Sequence, residues 1–197
     1  MAAVRKIELP EQKRQLLRLA RDTAGEVLGL SDHKLTDVPH IEGRFGGAFV
    51  TLWAGRELRG CVGSFAATDD IASTIQEVTK QSLADARFVT DPITASQLKD
   101  IEIEISILSD LERTDDPASL TPGTHGIVVR RQERSGCYLP QVATDHGWNA
   151  KEFLANCCSM KAGLPADAWR EQDTEVSLFT ADVFSESGFS QPDRRKV

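Results

Sequence analysis

One cysteine and one arginine sit in an unusual stretch, Leu58-Arg59-Gly60-Cys61-Val62-Gly63-Ser64-Phe65. Leu58, Val62 and Phe65 favour burial, while Gly60 and Gly63 have no side chain to bury. Glycines inside a strand mark bulges or close backbone approach. If the stretch is extended, Arg59, Cys61, Gly63 and Phe65 share one face, and Leu58, Gly60, Val62 and Ser64 the other. A cation beside a thiol is the pattern of a reactive or ligand-binding cysteine. Two positions along a strand separate the backbones by roughly 7 Å. A unit charge at that range is worth roughly 0.6 kcal/mol in water and roughly 2.4 kcal/mol at an effective dielectric of 20. Arg59 therefore activates Cys61 only in a sheltered site. The alternative is a small buried cysteine in a tight sheet.

In the thiol reading Cys61 is the nucleophile or a covalent attachment point, and Arg59 stabilises the thiolate or binds an anion. Gly60 and Gly63 present backbone N–H groups, and Arg87 or His125 completes the site. Arg87 lies in Asp85-Ala86-Arg87-Phe88, where Asp85 and Arg87 suit a local surface ion pair, with an anion grip by Arg87 as the alternative. His125 enters a hairpin from Thr-His-Gly and is otherwise a turn residue. Glu102 and Glu104 share a strand face, the pattern of paired carboxylates or of a wet sheet face.

The elements that must position these groups follow from periodicity. Pro10 to Leu28 reads as a helix, with Pro10 in its first turn and Gly29 at its end. Ser31 to Phe45 reads as a loop. Ala48 to Trp53 and Leu58 to Phe65 read as a hairpin around Ala54-Gly55-Arg56-Glu57. Asp69 or Asp70 caps a helix running to about Ala86. Thr94-x-x-Gln97 forms a capping box. Ile101 to Leu108 alternates isoleucine with polar residues and is the clearest strand. A second hairpin, Ile127 to Arg131 with Cys137 to Leu139, precedes a helix capped by Asn149 and ending in Ala162-Gly163-Leu164-Pro165. Phe153, Cys157 and Met160 line one face of that helix, with Leu154 and Cys158 beside them, so both cysteines belong to the core. Glu175 to Phe184 reads as a final strand. The pattern is α+β, mostly antiparallel sheet flanked by helices. One domain spans 1–185, and a polar, flexible tail is expected over 186–197.

The 197 residues carry a net charge of -7, which argues against nucleic-acid binding by bulk charge. RNA binding would need a local basic face. No apolar run is long enough for a signal peptide or a membrane span, so a cytoplasmic protein is expected. The four cysteines form no Cys-x-x-Cys pair and the four histidines no ligand spacing on one helix, so no metal site is expected. There is no phosphate-binding glycine loop and no recognisable Ser-His-Asp order, and no cofactor is expected.

Six segments taken together and in order resemble the AMMECR-type domain family. They are Gly47-Ala48-Phe49-Val50-Thr51-Leu52, Leu58-Arg59-Gly60-Cys61-Val62-Gly63, Asp85-Ala86-Arg87-Phe88, Ile103-Glu104-Ile105-Ser106-Ile107-Leu108, Tyr138-Leu139-Pro140-Gln141-Val142-Ala143 and Lys161-Ala162-Gly163-Leu164-Pro165. Val62 stands where the family usually has isoleucine, and Ala86 where it usually has proline; neither change removes a chemical group. The resemblance spans about Pro10 to Phe184. It implies an α+β fold of a larger and a smaller lobe, with the Cys61 segment near the cleft between them. It also implies Memo-like and radical-SAM proteins as partners in a modification pathway. It implies no reaction or substrate, so a non-catalytic module that binds a partner or a peptide stands beside the thiol enzyme.

Overall fold

A computed structural model describes residues 7, 9–30 and 38–190 of the chain. Helix α1 (Pro10–Val27) starts with proline at its first position and buries Leu16, Leu17, Leu19, Ala20, Thr23 and Ala24. Its apolar residues recur at helical spacing, so one stripe faces the core. Gly29, at φ +78°, ends it, and the Leu30 N–H closes back on the Gly25 carbonyl.

Strands β1 (Gly47–Ala54) and β2 (Glu57–Ser64) form the expected antiparallel hairpin, turning at Gly55 with φ +60°. Helix α2 (Ile71–Leu83) follows, with the Asp70 carboxylate accepting from the Ser73 N–H as its cap. Strand β3 (Ile101–Leu108) pairs antiparallel with β1, from Gly47↔Leu108 to Ala54↔Ile101. Ala48, Val50 and Leu52 then share a face with Ile103, Ile105 and Ile107. All six are fully shielded from solvent, in one core with the apolar stripes of α1 and α2.

After Leu108 the chain enters a second compact unit, Ser109–Ala181. Its sheet contains β4 (Glu112–Arg113), β5 (Gly126–Arg131), β6 (Arg134–Tyr138) and β7 (Glu175–Phe179), in the order β4-β7-β5-β6. Helices α3 (Pro140–Asp145) and α4 (Ala150–Asn156) cover it, the latter opened by the Asn149–Glu152 capping box. A single wide turn, Cys157–Lys161, extends α4, and Cys157 and Cys158 are buried in this unit's core as expected.

Two expectations need correction. The final strand is not continuous. Its first half, β7, pairs with β5 in the second sheet, and after Thr180 the chain continues as β8 (Ala181–Ser185), beside β3 in the first. At the break Ser109 and Thr180 hold each other: the Ser109 N–H donates to the Thr180 carbonyl, and the Thr180 N–H to Ser109 Oγ. Among the described residues the other compact unit thus joins the chain before Ser109 to 182–190. The tail also starts later than expected. The Glu186 carboxylate pairs with Arg21 and accepts from the Ile103 N–H, and a short helix α5 (Ser187–Ser190) follows. A carboxylate bound to a partly buried guanidinium cannot belong to a loose end. Residues 191–197 of the expected tail, and 31–37 of the expected loop, lie outside the described residues.

Candidate functional site

Strand β2 is the outer strand of its sheet, in the order β2-β1-β3-β8. Cys61 lies opposite Thr51 on β1, and Thr51 lies opposite Glu104 on β3. Thiol, hydroxyl and carboxyl therefore form one row across three strands. The Thr51 hydroxyl donates to Cys61 Sγ at 3.4 Å. Thr51 is buried, and Cys61 and Glu104 are half-buried.

The strand edge at Cys61 is closed by two residues from the turn after α2. Asp85 Oδ2 accepts from the Cys61 N–H at 3.0 Å, and Arg87 Nη2 donates to the Cys61 carbonyl at 3.0 Å. Asp85 also accepts from the Arg87 N–H at 3.1 Å and from its guanidinium at 2.5 Å. These are the bonds a neighbouring strand would make, so the pair acts as a cap on an open edge. The ion pair is thus not the surface pair expected. The Asp85 side chain is only 7% exposed, and Arg87 is 51% exposed. The guanidinium bond, with N–H groups from Cys61 and Arg87, holds the Asp85 carboxyl down at about 2, against the opposing pull of burial. The same bond pushes the Arg87 pKa up.

Burial pushes the Cys61 thiol above its ordinary value. The Thr51 hydroxyl and the Arg87 charge pull the other way but do not overcome it, and Asp85 and Glu104 add to the rise. The cation whose field reaches the thiol is Arg87, not Arg59. Pairing shifts between Leu52↔Gly60 and Trp53↔Leu58, so Arg59 is the extra residue of a bulge. The bulge breaks the alternation that would set Arg59 beside Cys61, and Leu58 instead shares the Trp53 and Thr51 side. Arg59 is 92% buried, since it is 8% exposed, and donates to the Asp91 carbonyl at 3.0 Å with the Asp91 carboxylate at 3.1 Å.

Both glycines make room for neighbours. A Cβ on Gly60 would lie 2.2 Å from the Ser82 carbonyl oxygen at the end of α2, and one on Gly63 would lie 2.2 Å from the Phe49 ring. The close approach at Gly60 lets the Ser82 hydroxyl reach between the strands, accepting from the Val62 N–H at 3.0 Å and donating to the Val50 carbonyl at 2.8 Å.

The remaining candidates are accounted for elsewhere. His125 belongs to the Ser109–Ala181 unit, where its Nδ1 accepts from the Thr121 N–H at 2.9 Å within a turn. Glu102 accepts from Ser187, whose hydroxyl and N–H, together with Ser185, pull the Glu102 pKa down. Thr51 was not singled out by sequence, although its register against Cys61 follows from the hairpin. Asp85 was recognised only as a local pair, because its bond to Cys61 joins residues 24 apart in sequence. Among the described residues no three His, Cys, Asp or Glu side chains cluster to hold a metal, and no helix is long and apolar enough to cross a membrane.

Known proteins are similar to this chain over most of its length. A protein of Methanothermobacter thermautotrophicus is 36% identical over 187 residues, covering 90% of this chain and 96% of its own length. One of Methanopyrus kandleri is 36% identical over 199 residues, covering 94% of each. The crystal structure of the uncharacterized protein PH0010 from Pyrococcus horikoshii superposes with a TM-score of 0.77 at 32% identity, covering 87% of this chain and 89% of that one. The AMMECR1 family profile matches residues 17–184. A match of that extent, with relatives aligned over nearly their full length, means that the chain belongs to the AMMECR1 family.

Proposed function

We propose that this AMMECR1-family domain is a recognition module, and that the Cys61 strand edge with its Asp85–Arg87 cap is the surface on which a partner protein is read. The observation that carries this reading is where the charges go. Arg59 is paired with Asp91, Arg87 with Asp85 and the Cys61 carbonyl, and burial pushes the Cys61 thiol up. A nucleophilic cysteine needs its thiolate, and the Arg87 charge that reaches Cys61 does not offset its burial. Arg87 remains half-exposed, with guanidinium N–H groups open to a backbone carbonyl of a partner. The resemblance to AMMECR-type proteins names the partners to test, Memo-like and radical-SAM proteins of a shared modification pathway.

Co-purification from the native cell at native expression, with partners identified by mass spectrometry, tests this. Recovery of a Memo-like or radical-SAM protein is expected with the wild type and with Cys61→Ser, and is expected to be lost with Arg87→Ala. Repeated recovery of neither partner overturns the pathway assignment. The thiol-enzyme reading, in which Cys61 and Arg59 are catalytic and Gly60, Gly63, Arg87 and His125 bind ligand, requires a Cys61 alkylation midpoint below the ordinary thiol range. A midpoint there would replace the recognition reading.

A further inference from the structure

We infer that the edge of β2 beyond Cys61 takes up a short extended peptide of alternating basic and apolar residues from a partner protein. This deepens the recognition reading and rests on it. In an antiparallel sheet the backbone groups of an outer strand point alternately inward and outward. At Cys61 they point outward, where Asp85 and Arg87 take them. Val62 turns inward, toward Val50 and the Ser82 hydroxyl. Gly63 is therefore the next outward residue, and no side chain among the described residues bonds its N–H or carbonyl.

Beside Gly63 and Ser64 runs a groove of about 420 Å³ whose far wall is α2, formed by Thr74, Glu77, Val78 and Gln81. An outer strand next to a helix, with a groove between, is a geometry that receives an added strand. The cap at Cys61 stops pairing in that direction, so the peptide is short and runs past Gly63.

Side-chain chemistry follows from the pleat. The residue opposite Gly63 lies on the sheet face of Phe49, whose ring crosses Gly63 and meets Phe65 edge-on at 5.3 Å. That residue is apolar. Its two neighbours point to the other face, toward α2 and the groove. Glu77 is the charged side chain of the groove wall. At the groove's end Ser73 donates to Asp70, whose carboxyl these bonds hold down. The two carboxylates select lysine or arginine at the neighbouring positions.

The test is amide chemical-shift titration of the whole protein with three synthetic peptides. One is acetyl-Thr-Lys-Val-Lys-Thr-amide, one replaces both lysines by glutamate, and one carries an N-methyl group on the valine. The expected result is that the lysine peptide shifts the Gly63 amide and slows its hydrogen exchange, with the other two at least ~tenfold weaker. Glu77→Gln should weaken the lysine peptide alone, and Gln81→Trp, at an exposed groove position, should block it. No Gly63 shift with the lysine peptide up to about 1 mM, or equal binding by the glutamate or N-methyl peptide, overturns the inference. Because the three peptides meet one folded protein, a misfolded variant cannot mimic the result. Glu77→Gln leaves the Asp85–Arg87 cap in place. Partner recovery that persists while all three peptides fail removes the groove and spares the recognition reading.

Discussion

Asp85 is the residue on which the Cys61 edge depends. Its carboxyl is held at about 2, below an ordinary 3.8. A group depressed in the folded state contributes stability that is present above its unfolded value and lost as pH falls through its folded one. Each unit is about 1.4 kcal/mol, and the half-exposed Arg87 screens part of it, so Asp85 contributes about 1–2 kcal/mol. Asp85→Asn should lower stability by about that amount at neutral pH in urea unfolding, and the difference should vanish between about pH 4 and pH 2. Cys61 titrates the other way. Its alkylation, followed by mass spectrometry across a pH series, should reach its midpoint above 9, the ordinary thiol value. Arg87→Ala should push that midpoint higher still, because Arg87 is the cation that lowers it, while Arg59→Gln should leave it unmoved. An equal response to both substitutions would contradict the assignment of Arg87.

Among the elements, the β1–β2 hairpin and α2 form one unit of packing. Ser82 reaches the strands only because Gly60 has no side chain. Gly60→Ala would set a methyl 2.2 Å from a backbone carbonyl oxygen, which no rotamer change relieves. Overpacking of this kind costs about 1–3 kcal/mol. The substitution should also detach Ser82, so thermal unfolding should show the loss and the Val62 amide should exchange faster with solvent. Ser82→Ala removes the hydroxyl without the clash. It removes two hydrogen bonds, each worth about 1 kcal/mol net, and so should cost about 2 kcal/mol.

At the scale of the molecule, the two compact units are not equivalent in sequence. Among the described residues one unit is the single run Ser109–Ala181, whereas the other needs chain both before Ser109 and after Ala181. Strand β8 lies beside β3, Asp182 pairs with Lys13 and accepts from the Ile7 N–H, and Glu186 pairs with Arg21. A chain ending at Leu108 leaves β3 with an unpaired edge and Lys13 and Arg21 without their carboxylates. It should show no cooperative thermal transition by circular dichroism. A chain ending at Ser185 keeps β8 but loses Glu186, and so leaves the Ile103 N–H without its acceptor and Arg21 with only the Leu98 and Ile101 carbonyls. It should fold with a loss of about 1–3 kcal/mol.

The local elements were legible because their signals are local. The stripe of α1, the isoleucine alternation of β3, the hairpin around Gly55 and the caps at Asp70, Thr94 and Asn149 depend on residues within a few positions of one another. The six ordered segments carried the family in the same way. The site was legible only as a cysteine between glycines. The bulge that separates Arg59 from Cys61 is a one-residue difference between two strands, and period-two alternation in one strand cannot register it. Asp85 reads as half of a surface pair until the end of α2 brings it to the β2 edge, where its bonds to Arg87 and the Cys61 N–H lower its pKa against burial and change its role. The break after β7 escaped the sequence because Thr180-Ala181-Asp182, where it falls, carries no proline or glycine to end a strand. Which sheet each half joins depends on edges supplied by β3 and β5, far away in the chain, so only the tertiary structure decided it.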